Sequence, residues 1–416
     1  MTEITKSEKV LLVGMTIDET QKNNLLKSLD ELKFLTETAG GNVVKIIYQI
    51  RESIDSKYYI GSGKLNEIKL ECDKHSAELV IFDEDISPSQ QRNLESFLKI
   101  RVIDRTALII DIFALHASSN EAKLQIELAK YSYELPRLQN IYTSFSQQVG
   151  MIGTRGPGET QLELDKRTIK KRISILKNKL KNVEIQRETQ RKQRLNCPNI
   201  VFIGYTNAGK SSLLNHLTNA DALVANRLFS TLDSMSRKYI LPNNKKIILT
   251  DTVGFINKLP HQLIEAFKTT LDVTRYADIL VHIVDISNIN FEFNINAVYT
   301  VLDELKIKNI PVITFFNKSD ISEVNPIKIH KYKNLYPNVV IGSAKTGKNI
   351  DILIEKISDI LNMNTIKTTL KLPISKYYLI TQMFDKIQVD KTEFTDEYAI
   401  IDIEAKQEYI DYFSKL

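Results

Sequence analysis

Five short apolar runs between residues 199 and 342, NIVFI, KKIILT, DILVHIVD, PVITFF and NVVIG, each end abruptly on a polar loop. A strand needs such unbroken β-branched and aromatic runs when both of its faces are covered, which is the situation in parallel sheets flanked by helices. The stretches between the runs carry apolar residues at helical spacing, so residues 198–365 are predicted to form a doubly wound α/β sheet. Ligands of such sheets bind outside the carboxyl ends of the strands. The loops that follow these runs are therefore the first places to look for chemistry.

Residues 1–118 repeat the alternation on a smaller scale. VLLVGM, NVVKIIYQI, ELVIFDE and IRVIDR, separated by SGKLNEIKLECDKH and SPSQQRNLESFLK, predict a small N-terminal α/β domain. GSGK at 61–64 lacks the spacer and the Ser or Thr of a phosphate loop and reads as a strand-to-helix turn. Further on, Leu124, Leu128, Tyr131, Leu135, Leu138, Tyr142, Phe145 and Val149 alternate spacings of four and three, a heptad stripe. The stripe resumes with Leu162, Ile169, Ile173, Leu176, Leu180 and Val183, beyond the loop GMIGTRGPGETQLELDKR that starts at Gly150. Two heptad stripes flanking a glycine-rich loop predict a long antiparallel helical hairpin over 119–197 with its tip at 150–158. Its first arm would run for about 40 Å, with a kink at Pro136. The loop thus lies at the end of an arm and is not a linker. Residues 366–416 predict a small α/β or β-rich tail.

A chain of 416 residues with 43% hydrophobic composition can fill more than one core, and it is not disordered. The charged start MTEITKSEKV and the short, interrupted apolar runs predict a soluble, cytoplasmic, monomeric protein without stable membrane insertion, peripheral membrane association being left open. Cys72 and Cys197 have no metal-ligand spacing. The net charge of +5 hides a strong asymmetry, because Lys166 to Arg194 holds 12 Lys and Arg against only Glu184 and Glu188. The rest of the chain is net acidic. Clustered positive charge attracts phosphate backbones, and a solvated helix face is the plainer alternative.

The loop after NIVFI is GYTNAGKSS: Gly204, Tyr205, Thr206, Asn207, Ala208, Gly209, Lys210, Ser211 and Ser212. It fits G-x-x-x-x-G-K-[ST] between a strand and a helix, where backbone N–H groups curl round phosphates, Lys210 faces the β/γ oxygens and Ser211 can ligate Mg2+. After KKIILT comes DTVGF, whose Asp251 can hold Mg2+ through water and whose Gly254 can offer its N–H to a γ-phosphate. NKSD follows PVITFF with Asn317, Lys318 and Asp320; the Asp320 carboxylate can accept N1–H and the 2-amino group of guanine, whereas adenine would leave it unpaired. SAK, comprising Ser343, Ala344 and Lys345, would set the Ala344 N–H against guanine O6. Four motifs in order at strand ends predict GTP and GDP as ligands and a P-loop GTPase domain.

Between Ser211 and Asp251 a switch residue should close on Mg2+. In the segment containing Phe229, Ser230 and Thr231, the threonine is favoured over Ser230. Phe255 stands where a glutamine would orient the attacking water, which predicts slow intrinsic hydrolysis that a partner stimulates. Asn207 raises K+ as a further candidate ion, with simple bracing of the loop the equal alternative.

DRTALIIDIFALHASSNEAKLQIELAK (104–130), GPGETQLELDKR (156–167), LFSTLD (228–233), DTVGFI (251–256) and TLDVTRYADILVHIVD (270–285) together resemble the HflX family of ribosome-associated GTPases. The resemblance runs from the N-terminal region through the GTPase domain, with Ala122 in place of a glycine in an EGKLQ run. It supports Thr231 as the switch threonine and a hydrophobic residue at 255. It implies binding to the large (50S) subunit or the 70S ribosome in the GTP state, ribosome-stimulated hydrolysis, and splitting or rescue of stalled ribosomes under stress. Ribosomal RNA would then meet the tip and the basic arm, through Arg155, Gly156, Gly158, Lys166, Arg167, Lys170, Lys171 and Arg172. Ribosome assembly, tRNA handling or docking on a protein partner are the alternative roles for such a switch.

Overall fold

Strand β1 (Lys9–Thr16) is buried along all but its ends, which places it inside a sheet. The computed structural model describes residues 8–138, 157–193, 197–218, 235–258, 263, 272–307, 309–321, 326–363, 366–382, 387–405 and 407–413. They gather into two compact units, the first running through Glu184 and taking in the stretch that begins at Val253.

In the first unit the order is β1, α1 (Lys22–Thr38), β2 (Asn42–Ile50), α2 (Ser62–His75), β3 (Leu79–Phe82), α3 (Pro88–Leu98), β4 (Arg101–Asp104), α4 (Arg105–His116) and α5 (Asn120–Glu134). The strands form a parallel sheet ordered β2-β1-β3-β4. One face packs Leu11, Val13, Ile47, Val80 and Phe82 against Leu65 and Ile68 of α2 and Leu94 and Leu98 of α3. Ser87 and Gln90 close a capping box at the start of α3, satisfying backbone groups that a helix end leaves open. Helix α4 is buried from Arg105 through Phe113, which accounts for an apolar run with no polar face. Helix α1 is not among the elements that the apolar pattern predicts.

Helix α6 (Pro157–Gln193) is the returning arm of the hairpin, with Pro157 at its first position where no N–H is needed. Its 37 residues make a rod of about 55 Å. Leu128 of α5 packs with Leu176 and Leu180 of α6, flanked by Leu124, Tyr131 and Ile173, so the two stripes meet across the described part of the hairpin. Pro136 does not kink the first arm: α5 ends at Glu134, and the Leu135 N–H closes the last turn on the Tyr131 carbonyl. A proline lacks the N–H that would continue the ladder, so termination just ahead of it avoids the clash. Tyr142, Phe145, Val149 and the tip through Gly156 lie outside the described residues.

The C-terminal end of α5, within the first arm, is tied to β4 by a buried polar knot. The fully buried Asp104 carboxylate caps α4 by accepting from the Ala107 N–H at 2.9 Å. It also accepts from the Tyr133 hydroxyl at 2.9 Å and from Arg137 Nη2 at 2.8 Å. The Arg137 guanidinium lies 3.5 Å over the Tyr133 ring and donates to the Ile86 and Tyr133 carbonyls.

The second unit is built on β5 (Asn199–Gly204), α7 (Lys210–Thr218), β6 (Met235–Ile240), β7 (Lys246–Asp251), β8 (Ile279–Asp285), α8 (Phe291–Glu304), β9 (Val312–Asn317), α9 (Pro326–Leu335), β10 (Val340–Ile341) and α10 (Ile350–Met363). The sheet order is β10-β9-β8-β5-β7-β6, parallel except for the antiparallel edge strand β6. This is the predicted doubly wound α/β sheet, with an edge strand the apolar runs did not reveal. The residues after it form β11 (Ile366–Pro373), α11 (Tyr377–Gln382), β12 (Gln388–Phe394), β13 (Tyr398–Ala405) and α12 (Gln407–Phe413). These strands make an antiparallel sheet ordered β11-β13-β12 around Leu370, Leu372, Ile380, Ile401, Ile403 and Phe413.

Removing the Asp104 carboxylate strands a guanidinium and a hydroxyl together. Asp104→Ala is therefore expected to cost about 3 kcal/mol and Tyr133→Phe about 1 kcal/mol, read as shifts of the urea unfolding midpoint. Equal midpoints for Asp104→Ala and the parent chain would show the knot to contribute nothing.

Candidate nucleotide-binding site

Between β5 and α7 the backbone must pass very close to its neighbours, and glycine permits this at two places. Gly204 has φ +152°, and a Cβ there would fall 2.3 Å from the Ile283 carbonyl oxygen on β8. Gly209 has φ +97°, and a Cβ there would fall 2.2 Å from Asn317 Nδ2. Both are glycines of the phosphate-loop pattern, so the motif is fixed here by the sheet as much as by any ligand. Asn207 also takes a left-handed backbone, φ +60°, at the exposed crest of the loop.

Lys210 opens α7 and folds back over the loop, with Nζ donating to the carbonyls of Gly204 at 3.1 Å and Tyr205 at 2.9 Å. Burial pushes its ammonium down to about 8, against the opposing pull of Asp251. At the end of β7, Asp251 is itself buried, and burial pushes its carboxyl up despite Lys210 and Ser211. Its Oδ2 accepts from the Ser211 hydroxyl at 2.6 Å, while Oδ1 is buried without a hydrogen-bond partner. A buried carboxylate oxygen lacking a partner, beside a hydroxyl and close to a phosphate loop, is a hard-oxygen set that suits Mg2+. Ser211 and Asp251 fit the metal from this side. Thr231, the third predicted participant, lies outside the described residues with Phe229 and Ser230. The Thr252 hydroxyl donates to the Phe202 carbonyl at 2.7 Å and ties the start of the next loop to β5.

On the other side of the sheet centre, Asn317 at the end of β9 joins three loops. Its Nδ2 donates to the Ala208 carbonyl at 2.8 Å, and its Oδ1 accepts from the Ala344 N–H at 2.8 Å. Because Ala344 N–H already serves Asn317, a base oxygen would have to share or displace that bond. Asp320 is exposed beyond Asn317, and its carboxyl is lowered chiefly by a hydrogen bond with Ser343 and more weakly by Lys345 and Lys318. Ser343 in turn holds its own loop by accepting from Thr346 N–H at 3.2 Å. The Lys318 ammonium lies 2.7 Å from Asp285 Oδ2 at the end of β8. Asp285 is a contributor that motif reading missed, and its signal was its position as the last residue of DILVHIVD.

The structure thus brings Gly204 to Ser212, Asp251, Asn317 to Asp320 and Ser343 to Lys345 to one carboxyl edge. Gly254 and Phe255 belong to the stretch grouped with the first unit, and the Phe255 ring is 1% exposed. On α6, Lys166, Arg167, Lys170 and Lys171 share one open face with Glu163 and Ser174. Arg172 faces differently: its guanidinium donates twice to Glu127 Oε1 of α5, at 2.7 and 2.9 Å, so it braces the hairpin instead of joining that face. Arg155 and Gly156 are outside the described residues, and Gly158 lies in the first turn of α6.

A phosphate cradle with a metal-suited carboxylate and a base-reading loop is the equipment of a GTP-hydrolysing enzyme, and the comparisons agree. Residues 26–114 match the family described as GTP-binding GTPase N-terminal, residues 116–194 the GTP-binding GTPase Middle Region, and residues 199–318 the 50S ribosome-binding GTPase. The GTPase HflX of Caldanaerobacter subterraneus subsp. tengcongensis is 42% identical over 373 residues, covering 89% of this chain and 86% of the relative. That of Escherichia coli K12 is 38% identical over 389 residues, covering 93% and 91%. A solved GTP-binding protein from Sulfolobus solfataricus in complex with GDP is 28% identical, covers 85% of this chain and 98% of its own, and has a TM-score of 0.44. With curated relatives 38–42% identical over 89–93% of its length, the chain belongs to the HflX family of GTPases.

Proposed function

We propose that this GTPase is a cytoplasmic, monomeric switch that binds the large ribosomal subunit in its GTP state and splits or rescues stalled ribosomes. The observation that carries the reading is the set of four cations, Lys166, Arg167, Lys170 and Lys171, that share one face of α6, the helix that packs against α5 at Ile173, Leu176 and Leu180. Such a surface contacts the phosphates of structured RNA and sets register, while a tip poor in side chains can enter a narrow RNA space. The match of residues 199–318 to the 50S ribosome-binding GTPase description supports the same partner. Among the described residues no helix is long and apolar enough to cross a membrane.

In this reading Lys210 and the loop N–H groups hold the phosphates, Ser211 and Asp251 hold Mg2+, Thr231 closes on it, and Asp320 selects guanine. A Mg2+ held by Ser211 and Asp251 would supply charge neutralisation at the bound phosphates. Asn207 would take part in holding K+ at the loop crest. Phe255 cannot orient a water, so hydrolysis by the isolated chain is slow and the ribosome supplies the missing alignment. An assembly factor with the same domains would engage separated subunits without parting joined ones.

Cosedimentation separates these roles. With a non-hydrolysable GTP analogue the chain is expected to pellet with large subunits and to convert joined particles into subunits, and to do neither with GDP. Binding without splitting would favour assembly. Replacing Lys166, Arg167, Lys170 and Lys171 by Gln should weaken binding at least tenfold and flatten its salt dependence.

Asp320→Asn should lower affinity for GDP by roughly a hundredfold, about 2–3 kcal/mol, and raise that for xanthosine diphosphate, whose C2 oxygen accepts from an amide. Unchanged preference for guanine would remove Asp320 from base recognition.

The Lys210 ammonium is pushed down to about 8, whereas a bound phosphate would favour its charged form. Above that pH, binding must take up a proton, so GDP affinity should fall as pH rises, by up to about tenfold per unit between pH 8 and 9. A flat titration across that window would show Lys210 to be fully charged before binding.

A further inference from the structure

We infer that Lys258 is a positioning residue that latches the stretch after Gly254 to the first arm of the helical hairpin, and so couples nucleotide state to the arm. The inference rests on the reading that Asp251 to Gly254 responds to the γ-phosphate. Four residues beyond Gly254, the Lys258 ammonium lies 2.6 Å from Asp83 Oδ2 and also bonds the Glu84 carboxylate, just past the end of β3. Asp83 is fully buried, and its Oδ1 accepts from Arg105 Nη1 at 2.8 Å. Arg105, itself 2% exposed, also bonds Glu31 and the Ser28 hydroxyl of α1. The residue before Arg105 is Asp104, the carboxylate that holds Tyr133 and Arg137. Beside them, Asp85 accepts from the Thr106 hydroxyl.

Three consecutive acids after β3, together with Asp104 and Arg105 at the junction of β4 and α4, therefore form a continuous polar path. It leads from Lys258 to the last turn of α5, within the first arm of the hairpin. Its links are ion pairs or charged hydrogen bonds with their partners largely out of water, except the peptide bond that joins Asp104 to Arg105. Such links do not stretch gradually: a buried carboxylate either keeps its cation or must find another. If loss of the γ-phosphate shifts the stretch after Gly254, Lys258 leaves Asp83 with Arg105 and Ser28 as its remaining side-chain partners. Arg105 is covalently next to Asp104, so any reorientation of its guanidinium is felt at the Arg137 and Tyr133 contacts.

Hydrogen exchange of the full chain tests this, comparing GDP with a non-hydrolysable GTP analogue. The parent protein should show a nucleotide-dependent difference both at residues 253–258 and at 131–137. Lys258→Gln should keep nucleotide affinity within about twofold and keep the difference at 253–257, while reducing that at 131–137 by more than half. Lys258→Arg, which can still bridge Asp83 and Glu84, should restore it, and Glu84→Gln should give an intermediate loss. An undiminished difference at 131–137 in Lys258→Gln would overturn the latch alone. So would a parent chain that responds at 253–258 but not at 131–137. No response at 253–258 in the parent chain would overturn the reading of Asp251 to Gly254, and the latch with it.

Discussion

Two opposite charges, Lys210 and Asp251, are withdrawn from water at the carboxyl edge of a parallel sheet, and the design of the second unit follows from keeping them there. Burial lowers the lysine and raises the aspartate, so burial disfavours the ionised form of each, while Lys210, Ser211 and Thr252 pull the aspartate back and Asp251 pulls the lysine back. The loop carbonyls of Gly204 and Tyr205 occupy the ammonium, and Ser211 occupies one carboxylate oxygen. The other oxygen is left without a hydrogen bond. A site that is already dehydrated, with one anionic and one cationic demand not fully met by the chain, makes a phosphate and a divalent cation worth more than they would be in water. The tight backbone passage at Gly204 is what allows β5 to deliver the loop to that place.

How much of this was legible depends on whether the physical cause is local. The phosphate loop, Asp251, Asn317 and Asp320 were readable because each needs a particular residue type at the end of a buried strand, and buried parallel strands announce themselves as unbroken apolar runs. Strand β6 escaped because it is an antiparallel edge: MSRKYI is largely exposed and has too few apolar residues to show either period. Helix α1 escaped because KNNLLKSLDELKFLTET mixes its buried leucines with a polar majority. The heptad stripe did identify the partner surfaces of α5 and α6, since hydrophobic register is a short-range code. Pro136 was misplaced in meaning, since a proline shows where the ladder fails and not whether the helix bends through or stops.

What composition could not show is which of several like charges does what. Arg172 sits among Lys166, Arg167, Lys170 and Lys171 in the sequence, yet helical geometry turns it toward Glu127, where its planar fork grips one carboxylate oxygen twice. Counting basic residues assigns all five to one partner. Placing them on a helix separates a bracing arginine from four cations that share one open face.

The N-terminal unit is held in a different way from its hydrophobic pattern. Val10, Leu12 and Ile81 would pack much the same in many sheets, whereas Asp83, Asp104, Arg105 and Arg137 each require a partner at a fixed direction. Burying such groups contributes little net stability, because desolvation offsets most of the attraction. What the groups do supply is direction and discreteness, and their position matters more than their strength. They line the ends of β3 and β4, where α4 begins, and the end of α5. A greasy contact there would tolerate sliding by fractions of an ångström. A carboxylate that must satisfy a backbone N–H, a phenol and a guanidinium at once tolerates much less, so the end of α5, the helix against which α6 packs, is fixed in direction on the N-terminal sheet.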